Sequence, residues 1–372
     1  MKLGILCTMI NGFGRRGYYN SQEIGLGRAL ARKGHEVMIY KGIDPSEKEE
    51  KVQVEKNLTI WYLPMKHLGA HGFMDCKYLD PQLKALFCFG DQQIFLPHVY
   101  RWCRRRRIPF VAYVGTAHSL DSNFKSKVMN ALFAAGTLRI YKKNPVLAKT
   151  SAAKEELRQL GIPHAVIAPV GLDTAVLKKN IPADEKMRLR KEHGFEADDV
   201  ILCNVSRLSW EKRPLELIDL FLQVKGKKKF KLIIVGNGPL EEELNEKIRK
   251  NGLEKEVKIY PNVPYEKMWE IYEMSDHYLN MNKGEIFGMA IMEAVYYKTS
   301  VAAIRALGPS VTLKDMKGHK LCENDDEMAE WITGPYPSEK DLQESSEKMA
   351  ATFTWDRCAD AFLQASSEKS SR

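Results

Sequence analysis

Two cations five residues apart and two carboxylates eight residues apart are the side chains in this sequence best placed to do chemistry. Arg207 and Lys212 follow the apolar run Ile201–Val205 and precede Pro214. A planar guanidinium grips two phosphate oxygens at once and an ammonium adds a compact charge, so two such groups at a strand end can converge on one anion. Glu285 and Glu293 flank a glycine in Asn282-Lys283-Gly284-Glu285-Ile286-Phe287-Gly288-Met289-Ala290-Ile291-Met292-Glu293-Ala294. Gly288 lets the chain turn into a helix whose free N–H groups and dipole favour a diphosphate. Glu285, just before that helix, can accept hydrogen bonds from sugar hydroxyls, and Glu293, within its first turns, can reach a ribose diol. Each group also has a plainer reading: a solvated pair of loop charges, a loop acid, and a first-turn carboxylate stabilised by the dipole.

Two glycine clusters add to this. Gly12, Gly14 and Gly17 match the G-x-G-x-x-G dinucleotide fingerprint. Against a nicotinamide-dependent oxidoreductase, Tyr18-Tyr19-Asn20 intervene before the helix expected from Ser21, and the second strand ends Ile39-Tyr40-Lys41 where an acidic ribose ligand belongs. The better reading is a loop whose backbone approaches a phosphate or sugar, with Arg15 and Arg16 nearby; a surface turn is the alternative. Gly236-Asn237-Gly238-Pro239 closes another strand with a tight turn.

The elements that must position these residues alternate strand and helix, which implies parallel sheets with helices on both faces. In the first half, strands are expected at 2–10, 36–40, 58–63, 86–90, 108–114 and 146–149, with helices at 21–33, 92–106, 126–142 and 152–160. The second half restarts: strands at 199–205, 230–235, 257–260, 277–280 and 300–304, with helices at 214–224, 240–251, 265–275 and 288–297. The polar stretch 171–197 reads as the linker. Ligands of such sheets bind beyond the carboxyl ends of the strands.

A chain of 372 residues suggests two domains, and 44% hydrophobic with 28% charged residues is ordinary for a globular protein. Seven scattered cysteines without a CxxC pair fit a reducing compartment and argue against a disulfide framework or a zinc ribbon. No stretch of about 18 apolar residues predicts a membrane span. Of the net charge of +9, residues 1–175 supply 26 Lys/Arg against 14 Asp/Glu, and the remainder 31 against 34. A basic first half suggests an anionic partner. Trp102, Arg104–Arg107 and the basic, partly apolar stretch 124–143 suit either contact with an anionic membrane or a core-packed helix with a wet face. No helix-turn-helix, RRM or zinc-finger pattern supports nucleic acid.

The ordered set resembles the family-4 retaining glycosyltransferases of the GT-B fold: Arg207/Lys212, Gly236-Asn237-Gly238-Pro239 and Glu285/Glu293. Ala168-Pro169-Val170-Gly171-Leu172-Asp173 is similar to the family's interdomain element, and Phe353-Thr354-Trp355 to the start of its C-terminal crossover helix. The resemblance implies two Rossmann-like parallel-sheet domains facing a central cleft: an acceptor-side domain 1–172 completed by the helix 353–368, and a donor-binding domain 173–352.

The resemblance also implies residue roles. Arg207 and Lys212 hold the donor diphosphate, Glu285 the transferred sugar, and Glu293 the ribose. Phe287, Gly288 and Met289 face the phosphates, and Asn262 and Val263 the base. Gly12 and Gly14 line the site from the first domain, and His118, at the end of Pro109–Ala117, faces the sugar. The expected reaction moves a hexose from a nucleotide-diphosphate sugar, a UDP-sugar first of all, to a glycan or lipid-linked acceptor with retention. It runs in the cytoplasm or at the inner face of the membrane, in bacterial cell-surface, exopolysaccharide or capsular biosynthesis. No cofactor and no metal are expected: no D-x-D motif is present, and Asp325-Asp326 falls in a polar loop. An epimerase or phosphorylase of the same fold and the oxidoreductase are the alternatives. The chain departs from the family at Asn280-Met281-Asn282-Lys283, where Pro-Ser commonly precedes the first Glu, and at Ala306-Leu307-Gly308-Pro309-Ser310.

Overall fold

A computed structural model of the chain describes residues 1–10, 22–117 and 124–367. The chain divides into two compact units, residues Met1–Asp173 with Phe353–Arg372, and Thr174–Thr352.

In the first unit, the inner strands form where apolar runs can be buried on both faces, and short or charged strands flank them. They are β1 (Lys2–Cys7), β2 (Glu36–Ile43), β3 (Glu50–Glu55), β4 (Leu58–Pro64), β5 (His67–Leu68), β6 (His71–Gly72), β7 (Ala85–Phe89), β8 (Phe110–Val114), β9 (Val146–Ala148) and β10 (Val166–Ile167). β5 and β6 form a small antiparallel pair; the other eight make one sheet in the order β10-β9-β8-β7-β1-β2-β4-β3. Every pairing in that sheet is parallel except β3 with β4. The intervening helices are α1 (Gln22–Arg32), α2 (Leu96–Arg105), α3 (Phe124–Ala135), α4 (Thr137–Tyr141) and α5 (Ser151–Gln159). The core gathers Leu6, Leu86, Val99, Phe110, Tyr141 and Leu157, all at most 1% exposed, each Leu or Phe contributing about 1.5–3 kcal/mol by leaving water.

The second unit is a six-stranded, all-parallel sheet of β11 (Val200–Val205), β12 (Phe230–Val235), β13 (Val257–Tyr260), β14 (His277–Asn280), β15 (Ser300–Ile304) and β16 (Lys320–Cys322). Their order is β13-β12-β11-β14-β15-β16. The chain winds outward from β11 to one edge, then returns to β14 and winds to the other. The strand order therefore reverses between β11 and β14, the place where doubly wound sheets bind ligands. Its helices are α6 (Glu185–Glu192), α7 (Pro214–Val224), α8 (Glu241–Lys250), α9 (Met268–Met274), α10 (Met289–Tyr296), α11 (Leu307–Thr312), α12 (Asp325–Thr333) and α13 (Glu339–Thr352). The chain then returns to the first unit as α14 (Trp355–Ser367), where Trp355 is 1% exposed and Phe362 meets Phe87 edge-on at 5.2 Å.

Three expectations are corrected. The stretch 171–197 is not simply a linker, because it contains α6, a polar helix anchored by charge. Arg190, 5% exposed, donates to the carbonyls of Met274 and Asp199 and to Asp276, which Lys186 also reaches at 2.9 Å. The helix expected over 126–142 is two, broken at Gly136, whose φ of −108° and ψ of −82° leave the helical region. Asp325 and Asp326 open α12 rather than lying in a loop, with the Asn324 side chain accepting from the Glu327 amide as N-cap. The boundaries 21–33 and 2–10 shorten, and Ser21 lies outside the described residues.

Candidate active site

The loops leaving the carboxyl ends of β11, β12 and β13 are knitted together by backbone. The Ser206 amide donates to Val235, the Leu208 amide to Asn237, the Leu240 amide to Leu208 and the Gly236 amide to Tyr260. This approach leaves no room for side chains at the two glycines. A Cβ on Gly236 would lie 1.9 Å from the Ser206 carbonyl oxygen, and one on Gly238 2.4 Å from that of Leu208. Both hold φ above +140°, which glycine alone adopts easily. The Gly-x-Gly-Pro element is thus a packing requirement that fixes where the Arg207–Lys212 loop runs.

Lys212 closes a 3-10 turn, Trp210–Lys212, and its Nζ donates to Glu285 Oε2 at 2.7 Å. The two residues are 73 apart in sequence, on the loops after β11 and β14, so the pair spans the point where strand order reverses. Both side chains are mostly buried, at 16% and 15% exposed. Asn282 Nδ2 donates to the same carboxylate oxygen at 3.1 Å, while Asn282 Oδ1 accepts from the Gly284 amide at 2.9 Å and holds the loop's bend. Burial alone would push the Glu285 carboxyl up. The Lys212 ammonium and hydrogen bonds from Lys212, Asn282 and Asn280 outweigh it and hold the group below the usual carboxylate range. Glu285 is therefore an anion at neutral pH, aimed and desolvated.

Gly288 sits at the N-cap of α10 with φ 84° and, having no side chain, leaves the first-turn amides without a side-chain cap. The Glu285 carbonyl accepts from the Gly308 amide at 2.8 Å, and Phe287 is 5% exposed. Met289 is half-buried at the first helical position.

Arg207 has an acid of its own. Its Nη2 donates to Glu211 at 2.8 Å, and Ser209 Oγ donates to the same oxygen at 2.7 Å. Burial opposes ionisation of Glu211, but Ser209 and Arg207 hold it down at about 2. Arg207 remains 43% exposed. Glu293 is 1% exposed, and the Tyr272 hydroxyl donates to it at 2.8 Å. Burial pushes its carboxyl up to about 7 against that hydrogen bond. Asn262 and Val263 line a cavity of about 440 Å³ with His193, Tyr260, Lys267 and Glu270.

In the first unit, His118, Gly12 and Gly14, with Arg15 and Arg16, lie outside the described residues. The chain leading toward His118 is firmly held: the amides of Gly115 and Thr116 donate to Asp91, which also receives Lys149 at 2.5 Å, and the Ala117 amide donates to Glu156 at 2.9 Å. The structure thus brings Lys212, Glu285 and the α10 terminus to neighbouring loops, joins Arg207 to Glu211 instead, and gives Glu293 a tyrosine. Asn280 and Asn282 were visible in the sequence only as an unusual Asn-x-Asn; that they grip Glu285, five and three residues on in the same loop, is seen only in the structure.

Residues 185–348 match the family described as glycosyl transferases group 1. The chain is 23% identical over 403 residues to a D-inositol 3-phosphate glycosyltransferase of Xylanimonas cellulosilytica, covering 97% of this chain and 94% of the relative. Among solved structures, a sucrose-phosphate synthase from Thermosynechococcus elongatus superposes with a TM-score of 0.74 at 15% identity, covering 99% of both chains. Anabaena HepE in complex with UDP and glucose does so with 0.73 at 17%, also covering 99% of both. With two Rossmann-like parallel-sheet units and a group 1 glycosyl transferase match over most of the second, the chain is a glycosyltransferase of the GT-B fold.

Proposed function

We propose that the chain is a retaining, metal-independent hexosyltransferase that takes its sugar from a UDP-hexose and delivers it to a glycan or lipid-linked acceptor of a bacterial cell-surface polysaccharide. The observation that carries this reading is the 2.7 Å pair between Lys212 and Glu285 at the reversal of strand order, beside the uncapped start of α10. A donor diphosphate there replaces Glu285 as the partner of Lys212 and meets the α10 amides, while the freed carboxylate accepts from sugar hydroxyls. Arg207, half-exposed, adds its guanidinium to the phosphates. The bond from the anomeric carbon to the diphosphate breaks with its electron pair going to phosphate oxygen, and these cationic groups stabilise that charge. The acceptor hydroxyl bonds to the same face of the sugar, and its proton leaves with the diphosphate. Glu285 and Glu293 bind; neither is a nucleophile. His118 faces the sugar in this scheme, and Asn262 and Val263 the base. The UDP and glucose bound in the HepE structure are in keeping with a UDP-hexose donor.

The chain is further proposed to work in the cytoplasm, touching the anionic inner face of the membrane. Val128 and Leu132 stay 42% and 48% exposed on α3, while Met129 and Phe133 of the same helix are buried. Arg104–Arg107 lie exposed across the end of α2, with Arg106 stacked 4.6 Å from the Trp102 ring. No helix among the described residues is long and apolar enough to cross a membrane. Sedimentation with anionic liposomes at low salt tests the contact; absence of binding removes it.

The reaction itself is tested by incubating the purified chain with UDP-glucose, UDP-galactose, GDP-mannose and NAD. We expect release of UDP, undiminished by EDTA, and a product whose anomeric proton in NMR matches the donor's configuration. Thermal stabilisation by NAD but by no nucleoside diphosphate would reverse the assignment, and an inverted product would end the retaining one.

A further inference from the structure

We propose that Arg213 is a positioning residue that, through Asp325 and the Met281 carbonyl, fixes where Lys212 stands relative to Glu285; this rests on the donor-binding reading of that pair. Arg213 has φ 56° and ψ 46°, a left-handed conformation that costs any side-chain-bearing residue and that glycine supplies freely. What the arginine side chain does here offsets that cost. Nη1 and Nη2 make paired hydrogen bonds to the two oxygens of Asp325 at 3.0 and 2.8 Å, and Nη1 reaches the Met281 carbonyl at 3.4 Å. The side chain is 15% exposed, so the fork is rigid as well as bidentate.

The three groups joined here belong to three loops. Arg213 follows β11, Met281 follows β14, and Asp325 opens α12 after β16. Lys212 and Arg213 are consecutive residues, and each reaches across to a different carboxylate. The next residue, Pro214, starts α7 and disfavours the right-handed helical conformation at 213. Residue 213 is therefore left with extended or left-handed backbone, and the two send Lys212 in different directions. The fork to Asp325 selects the left-handed one. Its grip on Met281 also holds the Asn280-Met281-Asn282 segment that carries the amide donors to Glu285.

Arg213→Gly separates this from a structural role. Glycine keeps the backbone angle and removes the fork, so the variant melts within a few degrees of the wild type. We expect kcat for UDP release from UDP-glucose nevertheless to fall by about 10- to 100-fold, as for a misplaced catalytic group. Asp325→Asn falls less, and Arg213→Asp with Asp325→Arg recovers part of what Arg213→Asp alone loses. A Gly variant with wild-type kcat, or losses in all variants that only follow melting temperature, overturns the proposal. Lys212→Ala is the control. If wild type and Lys212→Ala behave as read while Arg213→Gly is unimpaired, the clamp alone falls. If the wild-type chain hydrolyses none of UDP-glucose, GDP-mannose and ADP-glucose, the donor reading falls and takes the clamp with it.

Discussion

Both units carry ion pairs near the carboxyl ends of their central strands, and the pairs differ in what surrounds them. In the first unit, Lys41 and Glu23 meet at 2.5 Å with side chains 3% and 8% exposed, and Lys149 and Asp91 at 2.5 Å with 9% and 18%. Asp91 spends its remaining capacity on the backbone amides of Gly115 and Thr116. In the second unit, Lys212 and Glu285 are 16% and 15% exposed, and Arg207 and Glu211 43% and 50%. The first set is locked into the fold. The second sits on loops at the reversal of strand order, where an arriving anion can exchange for a carboxylate. On the proposed reading, similar charge pairs serve shape in one sheet and ligand exchange in the other.

The comparison breaks first at the locked pairs. Lys41→Met leaves the Glu23 carboxylate buried without its ammonium, and we expect a loss of about 3–5 kcal/mol in urea unfolding; a loss under 1 kcal/mol would make the pair as dispensable as a surface one. Lys212→Ala should do the reverse. Its melting temperature stays near wild type while turnover drops about 10²- to 10³-fold, as for loss of one charge-stabilising donor. Loss of fold instead of rate would erase the distinction between the units.

Two histidines sharpen it from the other ends of the strands. His277 begins β14 and is buried, while His319 precedes β16 and is half-buried; burial pushes each down to about 4, with Asp276 opposing this at His277. The unfolded chain takes up these protons near pH 6.5, before the folded one does. Stability is therefore complete above pH 6.5 and is lost as pH falls toward 4, by about 3 kcal/mol per group. His277→Gln should flatten the unfolding free energy between pH 6.5 and 4; an unchanged slope removes that histidine from the effect. The smallest effect concerns Glu293. Tyr272→Phe removes a hydrogen bond that opposes burial, so donor affinity should weaken about fivefold and recover as pH rises past 7. A variant with wild-type affinity at every pH would leave Tyr272 a packing residue.

Much of the second sheet was legible because its strands are nearly continuous apolar runs bounded by turn residues. Phe230–Val235, Val257–Tyr260, His277–Asn280 and Ser300–Ile304 fall where periodicity places them. β3 was not visible, because Glu50-Lys51-Val52-Gln53-Val54-Glu55 is a charged antiparallel edge strand that owes its pairing to β4. α6 was missed for a related reason: it is held by Arg190 and Asp276, not by an apolar stripe. In the site, residue types and spacing marked Lys212 and Glu285. Their contact and the Arg213–Asp325 fork join residues 73 and 112 positions apart, which no local pattern encodes, whereas the Asn282 support comes from only three residues away.

The most direct test is a crystal structure of the chain with UDP. We expect the diphosphate within hydrogen-bonding distance of Lys212 Nζ and the Met289 amide, with the Lys212–Glu285 pair opened. Diphosphate bound away from these groups, with that ion pair intact, would contradict the assignment of the site.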